Sequence, residues 1–460
     1  TDEAALKGGE GLNRTFAKAF GVYTNPLPIA VVDVHNTEEV SKVLKYCNEN
    51  DINVIPRTGT SSGEGLLEVR DPNTIILDGA PMNKILKIDT YNMMATCECG
   101  VPLHVLEDLV RKEGLTTGHS PQSQPVAFMG GLVATRSIGQ FSTYYGGIED
   151  MLCGLEAVMP DGRIIRIRNV PRRASGPDLR HLFLGCEGGL AFITEVTVKL
   201  FPYYPDEMWM GGYIVKDMET GFKAVRAVMA RGYKPSVVRL YDKPDIDYNF
   251  GSVELKGEEA FMFFTCEGPE AVARANGEGI HQVALEFGAE YIGTKAVEHW
   301  LEHRNDVCKL IGSEALHQRY REKKIYYATT EISANWTEIA EIYKDVITNV
   351  PQKIGNLVML GGHVSHSYIN GTNIYFVYQL KISSPEAFYE EHSAIVNAIC
   401  EEVLKYPTGG AVHHHGMGKQ RVHFAPQEHG SSFTLMEDLK KMMDPKGIMN
   451  YGVLIPKYDD

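Results

Sequence analysis

Residues 117–147 read TGHSPQSQPVAFMGGLVATRSIGQFSTYYGG. Neither a helical nor a strand-like apolar period runs through them. A loop this long is uncommon inside a compact domain unless it wraps a ligand. Ser120, Gln122, Ser123, Gly130, Gly131, Ser137 and Gly139 offer small side chains, hydrogen-bonding groups and backbone that can be approached closely. The stretch reads as the wall of a site for a large polar ligand.

A second loop points the same way. Residues 56–65, PRTGTSSGEG, directly follow a strand pattern at 52–55. Successive backbone N–H groups and small hydroxyls suit a pyrophosphate. Gly59, Gly63 and Gly65 lack the spacing of the dinucleotide fingerprint G-x-G-x-x-G, and a strand pattern at 74–77 follows where that fingerprint needs a helix. Upstream, 30–32 predicts a short buried strand. Asn36 with Glu39 predicts a capping box, and Val40, Val43, Leu44 and Cys47 form one apolar helical face. Residues 1–22 are amphipathic and read as helix. Downstream, 149–167 predicts strand, Pro-Asp-Gly turn, strand. Residues 185–200 predict a glycine turn and a strand carrying Ile193, Val196, Val198 and Leu200.

A chain of 460 residues, 43% hydrophobic, is too long for one core and implies two or three domains. A net charge of −14 argues against a non-specific nucleic-acid or anionic-membrane surface. Of the eight cysteines only Cys97 and Cys99 are close, and their C-x-C spacing in a strand-like run predicts one shared face. No second pair completes a zinc site. The chain starts without a basic-apolar signal pattern and has no run of about 18 apolar residues, so a soluble, cytoplasmic protein with no transmembrane segment is expected.

The middle of the chain changes character. Strand patterns at 211–215, 261–266, 330–336 and 358–363 alternate with helical patterns at 218–231, 269–287 and 385–404. This suits an α+β domain built on an antiparallel sheet. Within it, LHQRYREKK at 316–324 is basic on an acidic protein, either a solvated helix face or an anion clamp. Arg239 lies in an apolar strand, where an unpaired charge is costly. Asp242, a substrate anion, or both would be its partner. Beyond this region, 411–421 reads AVHHHGMGKQR. Three adjacent imidazoles need many polar partners, and the glycines behind them admit close approach. This reads as a catalytic rim.

Together these segments resemble the vanillyl-alcohol-oxidase and para-cresol-methylhydroxylase superfamily of FAD enzymes. The likeness is carried in order by P-x-x-G-T-S at Pro56, L-D-x-x-x-M-N-x-I from Leu77, T-G-H-x-P from Thr117, M-G-G-x-V-A-T from Met129 and Y-G-G-I-E-D from Tyr145. It continues with G-x-E-G-x-x-x-x-I-T-E from Gly185 and D-P-K-G-I-M-N from Asp444. S-G-P-D at Ser175, V-R-L-Y-D at Val238, H-V-S-H-S-Y at His363, N-I-Y-F at Asn373 and H-H-H-G-x-G-K at His413 are similar to alkyldihydroxyacetonephosphate synthases.

The resemblance implies a fold of class α+β. An FAD-binding domain of two subdomains spans 1–204, a substrate-binding cap with an antiparallel sheet spans 205–408, and 409–460 returns to the FAD-binding domain. It implies cofactor contacts from Pro56, Arg57, Thr58, Gly59, Thr60, Ser61, Ser62, Pro121, Ser123, Gly130, Gly131, Ala134, Thr135, Ser137 and Gly139. Tyr145, Gly146, Glu187, Gly188, Ile193 and Asn450 complete that set. Tyr375 would be the general acid/base, Arg239 would hold a substrate anion, and His414 and His415 would line the reacting flavin face. Arg319, Arg321, His363 and His413 would add substrate contacts. Relatives that oxidise lactate, glycolate or hydroxyglutarate carry metal-associated His motifs at the places of His363 and His366 and of His413 to His415. The carboxylate of the second motif is replaced here by His414, and no metal is expected.

The implied activity is an FAD-dependent oxidoreductase acting on a small anionic alcohol such as a 2-hydroxy acid, with hydride passing to flavin N5. The alternative is an alkyldihydroxyacetonephosphate-synthase-like transfer with no net redox. The FAD is expected to be non-covalent, because the Pro56 loop has no histidine and 124–131 has no cysteine. An electron-transfer protein as acceptor and a homodimer are further expectations.

Overall fold

The computed structural model describes residues 16, 19–22, 25–206, 208–251, 253–310 and 313–456. The helix expected at 1–22 lies largely outside them. The chain divides into two compact units, one of residues 1–139, 147–201 and 414–460, the other of residues 140–146 and 202–413.

The first unit is built around a parallel and an antiparallel sheet. Ala30–Asp33, Thr74–Asp78 and Asn53–Arg57 form a parallel sheet with Thr74–Asp78 in the middle. The middle strand is wholly buried, whereas Ala30–Asp33 is half-buried rather than buried, because it is paired on one side only. Helix Thr37–Glu49 makes the crossover and buries Val40, Leu44 and Cys47. Asn36 Oδ1 accepts Glu39 N–H, while the Glu39 carboxylate reaches the backbone N–H of His35. The second sheet is antiparallel, in the order Ile85–Asp89, Met94–Glu98, Phe192–Lys199, Leu152–Val158, Ile164–Ile167. Residues Ile148–Met151 are a helical turn, so the strand expected from 149 begins later. Cys97 and Cys99 are both buried but serve different cores. The strand ends at Glu98, so the alternation that would keep them on one face stops short of Cys99.

The second unit is built on a seven-stranded antiparallel sheet. Its order is Glu290–Gly293, Trp209–Val215, Ala260–Cys266, Val237–Tyr241, Leu357–Val364, Gly371–Lys381, Ile325–Asn335. Side chains alternate between faces along each strand. One face packs against long helices. Leu240 fills the space left by Gly221 of helix Met218–Ala230, Phe376 stacks on Tyr343 of helix Ile339–Lys353, and the Tyr378 hydroxyl meets His392 Nε2 of helix Phe388–Val403 at 2.8 Å. The opposite face carries Arg239, Tyr241, His363 and Tyr375 against the shorter helices Lys243–Asn249 and Lys295–His303. Helix Lys243–Asn249 was not legible in the sequence. Asp242 caps it by accepting Asp245 N–H at 3.0 Å, and Pro244 sits in its first turn. Among the described residues no helix is long and apolar enough to cross a membrane.

Candidate functional site

The first unit presses its two glycine-rich loops together. A Cβ added to Gly59 would lie 2.8 Å from Val126 O, one on Gly130 2.6 Å from Cys99 Cβ, and one on Gly139 2.6 Å from Ser120 N. A Cβ on Gly131 would approach Thr58 Oγ1 at 3.2 Å. Thr60, β-branched, is held at φ 62°, a conformation such residues rarely adopt. Ser62 Oγ, His119 Nδ1 and Asn450 Oδ1 are buried with no hydrogen-bond partner among the described residues. Burial pushes the His119 imidazole down to about 4, so it is neutral at physiological pH. Buried polar atoms without partners are uncommon and point to an unfilled polar contact. A hydroxyl, an amide oxygen and a neutral imidazole beside close-packed glycine backbone fit a polar cofactor such as FAD.

The sequence-expected cofactor residues divide by what their side chains already do. Arg57 pairs with Asp78 at 2.6 Å, and Pro56 packs beneath Gly188. Ala134 O accepts Glu187 N–H at 2.8 Å, Thr135 Oγ1 donates to Gly131 O, and Ser137 Oγ meets His119 Nε2 at 3.2 Å. Pro121 O and Ser123 O accept N–H groups of their own turn. Ile193 is buried in the sheet core, which leaves only its backbone for a cofactor. Tyr145 and Gly146 belong to the second unit, where the Tyr145 hydroxyl donates to Glu267.

The histidine segment is fastened from below. Glu187 accepts Met417 N–H at 2.8 Å and Gly418 N–H at 3.1 Å, so its carboxylate is turned to this segment. Burial pushes that carboxyl up to about 7. Arg421, fully buried, donates to Gly416 O at 2.9 Å and approaches Glu64 Oε2 at 3.2 Å. Lys419 Nζ donates to Glu68 O, Arg70 donates to Lys419 O at 2.7 Å, and burial pushes the Lys419 ammonium down to about 7. His414 and His415 then stand with ring centroids 4.4 Å apart, His415 Nδ1 being 3.8 Å from Glu64 Oε1. Glu64, Glu68 and Arg70 were not singled out in the sequence, and Arg421 entered only as the last residue of the 411–421 rim. The only available signal was charge interleaved with the apolar residues of 64–70.

In the second unit the strand register sets up a row. Tyr241 lies opposite His363, His363 opposite Tyr375, and Tyr375 opposite Glu331. The His363 ring stacks on Tyr375 at 5.0 Å and lies 4.7 Å from Tyr241. His363 Nδ1 is 2.5 Å from Asp245 Oδ2. Burial, reinforced by the Glu331 charge, pushes the Tyr375 phenol well above its ordinary range. Arg239 is 4% exposed, its Cζ lies 4.8 Å over the Trp300 ring, and its Nε has no hydrogen-bond partner. Asp242, its expected partner, instead accepts from Tyr343, Gly362 N–H and Asp245 N–H. Burial and the neighbouring Asp245 push Asp242 up to about 7. His413 belongs to this unit. It stacks on His366 at 5.3 Å, and its Nε2 meets the Tyr368 hydroxyl at 2.7 Å. Arg319 and Arg321 lie on the exposed helix Glu314–Lys323, Arg321 paired with Glu314 and Arg319 reaching Tyr248 at 3.4 Å.

The FAD binding domain family matches residues 28–168, and the C-terminal domain of FAD linked oxidases matches residues 210–454. The chain belongs to the FAD-linked oxidoreductases, and its cofactor is FAD. It is 47% identical to the uncharacterized FAD-linked oxidoreductase YgcU of Escherichia coli (strain K12), across 99% of this chain and 95% of that protein. Alkyldihydroxyacetonephosphate synthase of Dictyostelium discoideum is 26% identical across 93% of this chain and 73% of its own. D-lactate dehydrogenase of Archaeoglobus fulgidus is 27% identical across 93% and 91%. Among solved structures, an alkyldihydroxyacetonephosphate synthase superposes with a TM-score of 0.73 at 22% identity, covering 93% of this chain and 76% of that one. p-Cresol methylhydroxylase superposes with a TM-score of 0.70 at 16% identity, covering 100% and 94%. These likenesses establish the shared fold.

Proposed function

We propose that this protein oxidises a small 2-hydroxy acid, with Arg239 holding the substrate carboxylate. The observation that carries the reading is the buried Arg239 guanidinium, which has neither a hydrogen bond nor an ion pair to any described residue. An isolated buried cation is costly, and an anionic substrate would relieve that cost with charge-assisted hydrogen bonds. FAD supplies a two-electron acceptor for the hydrogen on the hydroxyl-bearing carbon. Tyr375, kept protonated by its burial, donates a hydrogen bond to the substrate rather than acting as a base. In this reading Arg319 and Arg321 stay outside the reaction, because both are exposed on helix Glu314–Lys323 and Arg321 is paired with Glu314. The FAD is held without a covalent bond.

The test is anaerobic mixing of the FAD-loaded protein with D-lactate, glycolate or D-2-hydroxyglutarate. Bleaching of the flavin absorbance by at least one of them is expected. Failure of all three, together with exchange of an acyl for an alkyl group on acyl-dihydroxyacetone phosphate, would overturn this reading in favour of the transferase.

A further inference from the structure

We propose, resting on that reading, that His363 is the base that takes the substrate's hydroxyl proton and that Asp245 positions it. Asp245 is wholly buried in the first turn of helix Lys243–Asn249. Its Oδ2 lies 2.5 Å from His363 Nδ1 and its Oδ1 2.5 Å from Asn249 Nδ2. A carboxylate only accepts, so His363 carries its proton on Nδ1 and turns a lone pair outward on Nε2. That nitrogen has no hydrogen bond to any described residue, and the side chain is 14% exposed. The ring is held by Tyr241 on one neighbouring strand and Tyr375 on the other. Strand pairing sets both contacts, so the direction of Nε2 is fixed before substrate arrives.

The other groups around this ring are less suited to the role. Tyr241 and Tyr375 are phenols whose burial keeps them protonated. Glu331 lies beyond Tyr375, and Arg239 lies on the Tyr241 strand two residues away on the same face. His366 Nδ1 is bound to Ser142 Oγ at 2.7 Å and His413 Nε2 to Tyr368, so each of these rings spends a nitrogen on a hydroxyl, and neither bond supplies a negative charge. The His363 ring, in contrast, is backed directly by a buried carboxylate, Asp245. The substrate O–H breaks and its proton goes to Nε2. The C–H bond breaks with both electrons and the hydrogen passing to FAD. The electron pair left on oxygen closes the carbonyl of the 2-oxo acid. The imidazolium then returns its proton to water.

The test has two arms. In FAD-loaded protein labelled with 15N-histidine, the neutral His363 ring is expected as the Nδ1–H tautomer, and Asp245→Asn is expected to change the tautomer balance. A wild-type Nε2–H tautomer would overturn the proposal. In the second arm, His363→Asn is expected to slow anaerobic flavin reduction by about 10²–10⁴-fold at pH 7 while pyruvate perturbs the flavin spectrum with an affinity within about threefold of wild type. Tyr375→Phe is expected to slow reduction by only about tenfold. A His363→Asn rate within about threefold of wild type would overturn the role of His363. If none of the hydroxy acids reduces the wild-type protein, the substrate reading falls, and the tautomer alone then decides whether the dyad stands.

Discussion

Glu187→Gln tests the clamp beneath the histidine segment. The Glu187 side chain is buried and faces two backbone donors, Met417 N–H at 2.8 Å and Gly418 N–H at 3.1 Å. The donors favour the carboxylate, whereas burial favours the neutral acid. Burial wins, lifting the group from 4.5 to about 7. Between those values the folded protein holds a proton that the unfolded chain has released, so stability falls as pH rises through that window. At ~1.4 kcal/mol per pH unit, the interval corresponds to about 3 kcal/mol. Glutamine keeps the shape and cannot ionise. Near pH 5 it replaces a neutral acid, at a cost of roughly 1 kcal/mol for a poorer acceptor arrangement. By about pH 8 the wild type carries the buried charge and the variant does not. The variant should therefore gain about 3 kcal/mol relative to wild type between these limits, or roughly 6–12 °C in Tm for a unit of this size. The assay is thermal unfolding of both FAD-loaded proteins at unit steps across that range, comparing the difference in Tm. A difference that stays flat, or one that turns further against the variant as pH rises, would mean that the two N–H donors and Arg421 outweigh burial and keep Glu187 ionised throughout.

Other outcomes follow from the same geometry. Arg239→Met should weaken pyruvate binding by about 10²–10³-fold, read from the flavin spectrum, yet leave Tm unchanged or higher, because the guanidinium it removes is a buried charge with no carboxylate partner among the described residues and methionine can still pack on Trp300. Gly418→Ala should cost roughly 2–4 kcal/mol in a urea titration, since its Cβ would lie 1.9 Å from Glu64 O at φ 53°. Gly232→Ala, at φ 84° but with nothing within 4 Å, should cost only about 1 kcal/mol. Acid precipitation should leave a colourless pellet and a yellow supernatant, and a yellow pellet would refute non-covalent FAD.

The elements that organise the two units were largely legible because their signals are local. The Thr37–Glu49 helix announced itself by Asn36 and an apolar face, and the Val237–Tyr241 strand by its apolar run. The glycines of 59, 130 and 131 marked the cofactor half because close approach forbids side chains there. The sequence alone, through motifs in fixed order, determined a flavin-binding chain with an antiparallel α+β unit and put Arg239, His363 and Tyr375 on the candidate list. It did not reveal helix Lys243–Asn249, whose seven residues are too few to show a period. Nor did it pair Asp245 with His363 across 118 residues, or Glu187 with Met417 across 230. The first partnership depends on strand register and on the face each strand turns to its neighbour, the second on how two loops pack together. A one-residue slip in the register of Leu357–Val364 would send His363 to the opposite face, away from Asp245, and no local spacing in the chain encodes that choice.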